Sequence, residues 1–239
     1  ITTGDEIGEL SHAFDSMAQK LEESLIEIKE KEEVIKQLAG GKLLKFSQHE
    51  ETDCVGVVDM SDSTRISSKL SDDDVSNMYE IFLNFMAKIV LKYNGEVVKN
   101  IGDALMFRFP NVDSKDSDAM KNVLECCLSM NESHGELKKE LNAENIDALD
   151  YKISITYGSV KVAESTTSKI SDVFGPTVNR CFKINGFCPK NSVVIGSNMY
   201  ENLKDFEEYE FSQFCSIEIK QKYGYSIFEA KRKNNLKNS

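Results

Sequence analysis

The apolar positions divide the chain into two regimes. From Asp5 to Leu38 there is no proline, a single glycine and a dense mixture of Glu and Lys. Phe14, Leu21, Ile28 and Ile35 recur at intervals of seven, with Ala18, Leu25, Glu32 and Ala39 at the companion positions. That spacing predicts a two-stranded coiled coil, because a lone helix of this charge would have little to bury. Glu32 is the weak point of the second series. Gly40-Gly41 ends the helix, since glycine tolerates the left-handed conformation of a helix terminus. Residues 1–41 therefore read as a stalk, 42–53 as a connector, and 54–239 as the main domain.

Beyond the connector the pattern changes period. Cys54 to Met60 (CVGVVDM) is a short β-branched run bounded by polar residues, which predicts a buried strand. Ser71 followed by three aspartates predicts a capped helix start, with acids at the positive end of the dipole. Val75, Met78, Tyr79, Phe82, Phe85, Met86, Ile89 and Val90 then share one face as far as Asn94-Gly95. Glu96–Lys99 and Ala104–Phe109 read as strands around the turn Asn100-Ile101-Gly102-Asp103. A long helix is expected between Ser114 and Asn142, a strand at Tyr151–Tyr157, a helix at Phe174–Asn185, and a strand at Val193–Ile195. Tyr209 to Ala230 reads as a β meander. The order strand, helix, hairpin, helix, strand predicts an α/β fold, an α+β sandwich with helices over one sheet face.

Composition narrows the function classes. A chain of 239 residues that is 40% hydrophobic can bury one sizeable core and carry a smaller appendage. Forty acidic against 29 basic residues argue against a nucleic-acid backbone as partner, while leaving room for a single nucleotide held by a few local charges and a metal. The six cysteines lack CxxC spacing and the three histidines lie far apart, so reduced thiols are expected rather than a zinc site. No apolar run has the ~20 residues of a spanning helix. The chain opens Ile1-Thr2-Thr3, without Met, as a fragment of a longer protein would, and any membrane attachment is expected upstream of it.

Two acids stand out. Asp59 closes an apolar strand and Asp103 sits at the tip of an apolar hairpin; either alone would suit an exposed cap or turn. In a βαββ unit, however, the first strand lies beside the hairpin, and the two carboxylates can converge at one end of the sheet. Paired carboxylates bind Mg²⁺ or Mn²⁺, with substrate phosphates completing the coordination. Two such ions can activate a hydroxyl and stabilise a leaving oxygen in phosphoryl transfer. After Asp59, the small polar run Met60-Ser61-Asp62-Ser63-Thr64 can offer backbone N–H groups to phosphates.

The motifs VGVVDMSDST, EVVKNIGDALMFRF and DVFGPTVN, in this order, resemble the class III adenylyl and guanylyl cyclase homology domain over roughly residues 50 to 230. GDEIGELSHAFDSM resembles the end of a HAMP domain, the linker of many transmembrane receptors. The resemblance implies a ferredoxin-like βαββαβ palm with extra C-terminal strands. It implies metal ligation by Asp59, Asp103 and the Met60 carbonyl, two Mg²⁺ or Mn²⁺ ions per site, and phosphate contacts at Ser63 and Thr64. Lys99 and Asp172 match the base-reading pair, Asn179 the ribose-orienting asparagine, and Lys220 the triphosphate-binding lysine, with Lys222 nearly as well placed. A homodimer with shared sites follows, the metal acids coming from one subunit and the base readers from the other, in a cytoplasmic domain.

The base-reading pair has a physical logic of its own. Adenine donates from its exocyclic amine and accepts at the adjacent ring nitrogen, so an acid and a lysine fit that edge. Guanine reverses both, and mispaired buried polar groups cost ~1–3 kcal/mol each. Lys99 with Asp172 therefore points to ATP and to cyclic AMP as product. The chain departs from the family pattern at Lys183, where an arginine usually faces the transferring phosphate, at Asp62, where glycine is common, and at Pro176, where an acid is common. A lysine keeps the charge and loses the planar fork. These departures predict slow turnover, and Lys183 and Asp62 support one alternative, a cyclase-like nucleotide-binding module without catalysis. A diguanylate cyclase lacks support because the hairpin reads KNIGDALM, without GGDEF or GGEEF. A purely structural dimerisation domain would leave three matched motifs unexplained.

Overall fold

The computed structural model describes residues 50–165, 171–213 and 224–233, helical positions at 17, 20–22, 24–26 and 28–32, and the backbone of 44–46. The chain forms two compact units, Ile1–Phe46 with Glu164–Ile170, and Ser47–Ala163 with Ser171–Ser239. In the first, the helical positions constitute α1 and Leu44–Phe46 is β1. The heptad residues Leu21, Leu25, Ile28 and Glu32 are helical and exposed. Phe14, Ala18, Ile35, Ala39 and the HAMP-like run before Met17 lie outside the described residues.

Beyond β1 the chain runs β2 (Glu51–Met60), α2 (Ser63–Ser67), α3 (Asp72–Lys92), β3 (Glu96–Ile101), β4 (Ala104–Phe109), α4 (Ser117–Glu132), α5 (His134–Ala143), β5 (Tyr151–Ser165), β6 (Ser171–Phe174), α6 (Pro176–Asn185), β7 (Val193–Gly196), α7 (Ser197–Leu203), β8 (Tyr209–Gln213) and β9 (Ile227–Arg232). The sheet path is β3-β4-β2-β5-β7-β9-β8, with β6 beside β5. Its first four strands are antiparallel neighbours, the arrangement of a ferredoxin-like βαββαβ palm, and β7, β9 and β8 extend it.

Local chemistry sets the element ends. The Ser71 hydroxyl accepts from the Asp74 amide at 3.2 Å and donates to its carboxylate at 2.6 Å, capping α3 ahead of three acids. Asn94 is left-handed and the Gly95 amide reaches back to the Val90 carbonyl at 2.9 Å, closing that helix. The single helix expected over Ser114–Asn142 is two. The Ser133 hydroxyl bonds back to the Ser129 carbonyl at 2.7 Å, and Ser133 ends α4 while opening α5.

Alternation along β2 sends Cys54, Val58 and Met60 to one face and Val55, Val57 and Asp59 to the other. The first face meets Met78, Phe82 and Met86 of α3 and Leu124, Cys127 and Leu128 of α4 in the main core. A β-carbon at Gly56 would lie 2.2 Å from the Phe107 ring, so only glycine lets that ring cross β2. The second face is packed by Val178 and Cys181 of α6. Helices thus cover both faces, not the one expected, because α6 carries its own apolar stripe. The helix expected from Phe174 begins at Pro176, after β6 and Gly175, whose φ of 130° favours glycine. Pro176 sits in the first turn of α6, where its missing N–H is no loss.

Candidate active site

Strand register puts the chemistry on the face that α6 covers. Asp59 lies opposite Ala104 of β4 and Lys152 of β5, and Ala104 in turn opposite Ile101. Lys99 lies opposite Met106, itself opposite Val57. Directly opposed residues of antiparallel strands point to the same side, so Asp59, Lys152 and Lys99 share one face.

Asp59 and Asp103 are close enough for their charges to interact. The Met60 amide donates to the Asp103 carbonyl at 3.4 Å, which ties the end of β2 to the hairpin tip. Burial pushes the Asp59 carboxyl above the usual aspartate range; Lys152 opposes the shift and the Asp103 charge adds to it. The Lys152 ammonium stands 3.0 Å from the Asp59 carboxylate. The sequence reading missed Lys152, and the alternation of β5 opposite Asp59 was the signal available for it. Among the described residues no set of three or more His, Cys, Asp or Glu could hold a metal by itself. Two hard carboxylates at a sheet end suit Mg²⁺ or Mn²⁺ only if phosphates and water supply the remaining ligands.

Lys99 and Asp172 are an ion pair, each partly exposed. The second Asp172 oxygen accepts from the Val173 amide at 2.8 Å, fixing the carboxylate at the start of β6. Asn179 and Lys183 are exposed one turn apart on α6. Arg180 instead lies over the Tyr225 ring at 5.3 Å, away from that pair. Buried contacts seat α6: Ser154 donates to the Cys181 carbonyl at 3.1 Å and Thr156 to the Thr177 carbonyl at 3.2 Å. Lys220 and Lys222 lie outside the described residues.

The loop after Asp59 explains one departure. Asp62 adopts a left-handed backbone, with φ 58° and ψ 25°, which accounts for glycine serving well at such a place. Its carboxylate is not left uncompensated: Lys190 reaches it at 2.6 Å and Arg65 at 3.3 Å. Ser63 and Thr64 follow at the start of α2. The Cys54, Cys126, Cys127, Cys181 and Cys188 thiols are free and buried, and burial raises Cys126, Cys181 and Cys188 to about 12. They are inert packing groups at neutral pH. No helix among the described residues is long and apolar enough to cross a membrane.

A palm-like sheet with paired strand-end acids and a lysine–aspartate pair on the same face defines a nucleotide-handling domain. The adenylate and guanylate cyclase catalytic domain family matches residues 47–233, and the chain belongs to that family. It is 24% identical over 179 residues to a cytidylate cyclase of Staphylococcus aureus, covering 71% of the chain and 42% of that protein. It is 25% identical over 151 residues to an adenylate cyclase of Streptomyces coelicolor, covering 62% and 33%. The chain thus spans less than half the length of these curated relatives. Its fold resembles an adenylyl cyclase of P. aeruginosa (TM-score 0.67, 19% identity, covering 80% of the chain and 98% of the other). It also resembles the guanylate cyclase domain from Catenaria anguillulae solved with GTP (TM-score 0.66, 17% identity, covering 79% and 98%).

Proposed function

We propose that the domain is an adenylyl cyclase, converting ATP to 3′,5′-cyclic AMP and pyrophosphate. The observation that carries the reading is the Lys99–Asp172 ion pair, which presents an ammonium donor and a carboxylate acceptor side by side. Adenine's ring nitrogen and exocyclic amine are complementary to that pair, and guanine's edge is not. In the absence of a base the two side chains satisfy each other, so base binding exchanges one ion pair for two hydrogen bonds.

Asp59 and Asp103, with the Met60 carbonyl, would hold two divalent ions. Bound there with substrate phosphates, such ions supply Lewis-acid charge for ionising the 3′-hydroxyl and for the departing pyrophosphate. Lys152 offers a cation beside Asp59 for the same phosphates. Ser63 and Thr64 bind the triphosphate, together with Lys220 or Lys222. Asn179 orients the ribose, and Lys183, one turn further along α6, places positive charge at the transferring phosphate. Lysine there lacks the fork geometry of arginine, which accounts for the slow turnover we expect.

The working unit in this reading is a homodimer. Asp59 and Asp103 of one protomer act with Lys99, Asp172 and Asn179 of its partner, so the monomer holds no complete site. Exposed Val97 and Ile101 on β3 support a protein partner there. Residues 1–41 pair as a coiled coil continuing a HAMP segment and pass an upstream signal to residues 54–239 through the 42–53 connector. Exposure of Leu21, Leu25 and Ile28 supports that pairing.

Product analysis with ATP, GTP and CTP supplied separately, with Mn²⁺ or Mg²⁺, tests the assignment. Cyclic AMP as the dominant product supports it. Cyclic CMP or cyclic GMP as the dominant product overturns the base assignment, and nucleotide binding without any product favours the non-catalytic alternative.

A further inference from the structure

Asp62 poses a problem for any site that takes a polyphosphate. It follows Asp59 by three residues, and Asp103 and Asp150 bond to the same loop: the Met60 amide donates to the Asp103 carbonyl at 3.4 Å and the Ser61 amide to the Asp150 carbonyl at 2.8 Å. The Asp103 charge acts on Asp59, and the Asp62 and Asp150 carboxylates lie within reach of one lysine. Lys152 answers Asp59, at 3.0 Å. Asp62 and Asp150 face a second cation.

We propose that Lys190 is a positioning residue of the cyclase site, holding the Asp62 carboxylate aside so that the Met60–Thr64 loop accepts a triphosphate. The proposal rests on the cyclase reading and deepens it. Lys190 bridges two of these acids, with its ammonium 2.6 Å from Asp62 and 3.4 Å from Asp150. The lysine is itself placed by its neighbour. The Asn191 side-chain amide donates to the Asp150 carboxylate at 2.8 Å, and its backbone amide donates to the Tyr151 carbonyl at 2.7 Å. Tyr151 in turn pairs with Met60. The 190–191 turn is therefore fastened to β5, the neighbour of the strand that carries the loop. The Asp62 backbone is held in place, because its carbonyl accepts the Arg65 and Ile66 amides at 3.0 Å each.

Energetic scale separates this role from a structural one. Lys190 and Asp62 are both near half exposed, and ion pairs of that kind add little to stability. Removing the lysine should leave the fold intact. It would free a negative charge beside a binding polyanion, where Coulomb repulsion acts on affinity. Arg65 remains within 3.3 Å of Asp62 but is two-thirds exposed and heavily screened.

The test uses the full chain, with KM and kcat for ATP and calorimetric binding of inorganic tripolyphosphate in Mn²⁺. Lys190→Ala should raise KM and the tripolyphosphate Kd about tenfold, with kcat within about threefold and the unfolding midpoint unchanged. Lys190→Arg should keep both constants near the parent's. Asp62→Gly added to Lys190→Ala should return both constants to within about threefold of the parent, because it removes the charge that needed an answer. Unchanged constants in Lys190→Ala, or a double variant as impaired as the single, would overturn the proposal. A parent that binds tripolyphosphate with this pattern but forms no cyclic nucleotide would sink the cyclase reading alone. A parent that binds no tripolyphosphate would sink the proposal.

Discussion

Lys99 and Asp172, 73 positions apart in the chain, close an ion pair between β3 and β6 on the face of the sheet that also carries Asp59. Exchanging the two charges keeps the pair and inverts its donors and acceptors. Lys99→Glu combined with Asp172→Lys should move the ratio of kcat/KM for ATP over GTP toward GTP by at least about tenfold, while Lys99→Ala alone should lower kcat/KM for ATP about tenfold or more. Substrate competition assays on the two variants measure both effects. An unchanged ratio in the exchanged variant would remove the pair from base recognition.

Lys183 supplies charge without a planar fork. Lys183→Arg should raise kcat for ATP by about threefold to thirtyfold while KM changes little, since the gain concerns charge that develops in the transition state. Steady-state kinetics with saturating metal decide it. A fall in kcat would show that α6 is fitted to lysine.

The raised Asp59 carboxyl fixes the direction of the acid response. Its proton is held at a pH where an ordinary aspartate has lost it, so divalent binding and activity should fail, as pH drops, above the usual aspartate range. Lys152 opposes the shift, and Lys152→Gln should move the acid limb of kcat/KM to higher pH. For folding the sign is opposite. A carboxyl whose folded pKa exceeds its unfolded value binds its proton more tightly in the native state, so this group's contribution to stability rises as pH falls through the folded value. Acid loss of activity should therefore precede acid unfolding, which parallel rate and circular dichroism titrations would show.

Gly56 has no room for a side chain beside Phe107. Gly56→Ala should destabilise the domain by about 1–3 kcal/mol, read as a lower urea midpoint at constant slope.

Much of this arrangement was legible in the sequence, for identifiable reasons. The α3 boundaries followed from Ser71 and Asn94-Gly95, because caps are local chemistry. The convergence of Asp59 and Asp103 followed from the βαββ order, because hairpin and first strand must be neighbours. What escaped depended on partners distant in the chain. The break at Ser133 is marked by no Pro, and Gly135 falls two residues later. The strand at Ser171–Phe174 has no legible signal, since four residues show no period, and only Phe174 falls within the expected helix. Lys152 acquires meaning through the register that sets it against Asp59, and Lys190 through a turn that meets Asp62 from 128 positions away; a lone lysine in sequence reads as solvent-exposed.

The central claim is that Asp59 and Asp103 form the centre at which ATP is cyclised. Its most direct test is cyclic AMP formation by the parent chain and by Asp59→Asn and Asp103→Asn, with Mn²⁺ present and melting temperatures measured in parallel. Cyclic AMP is expected from the parent, with a loss of about a thousandfold or more in each folded variant. Undiminished product in either variant, or none from a folded, dimeric parent, would contradict it.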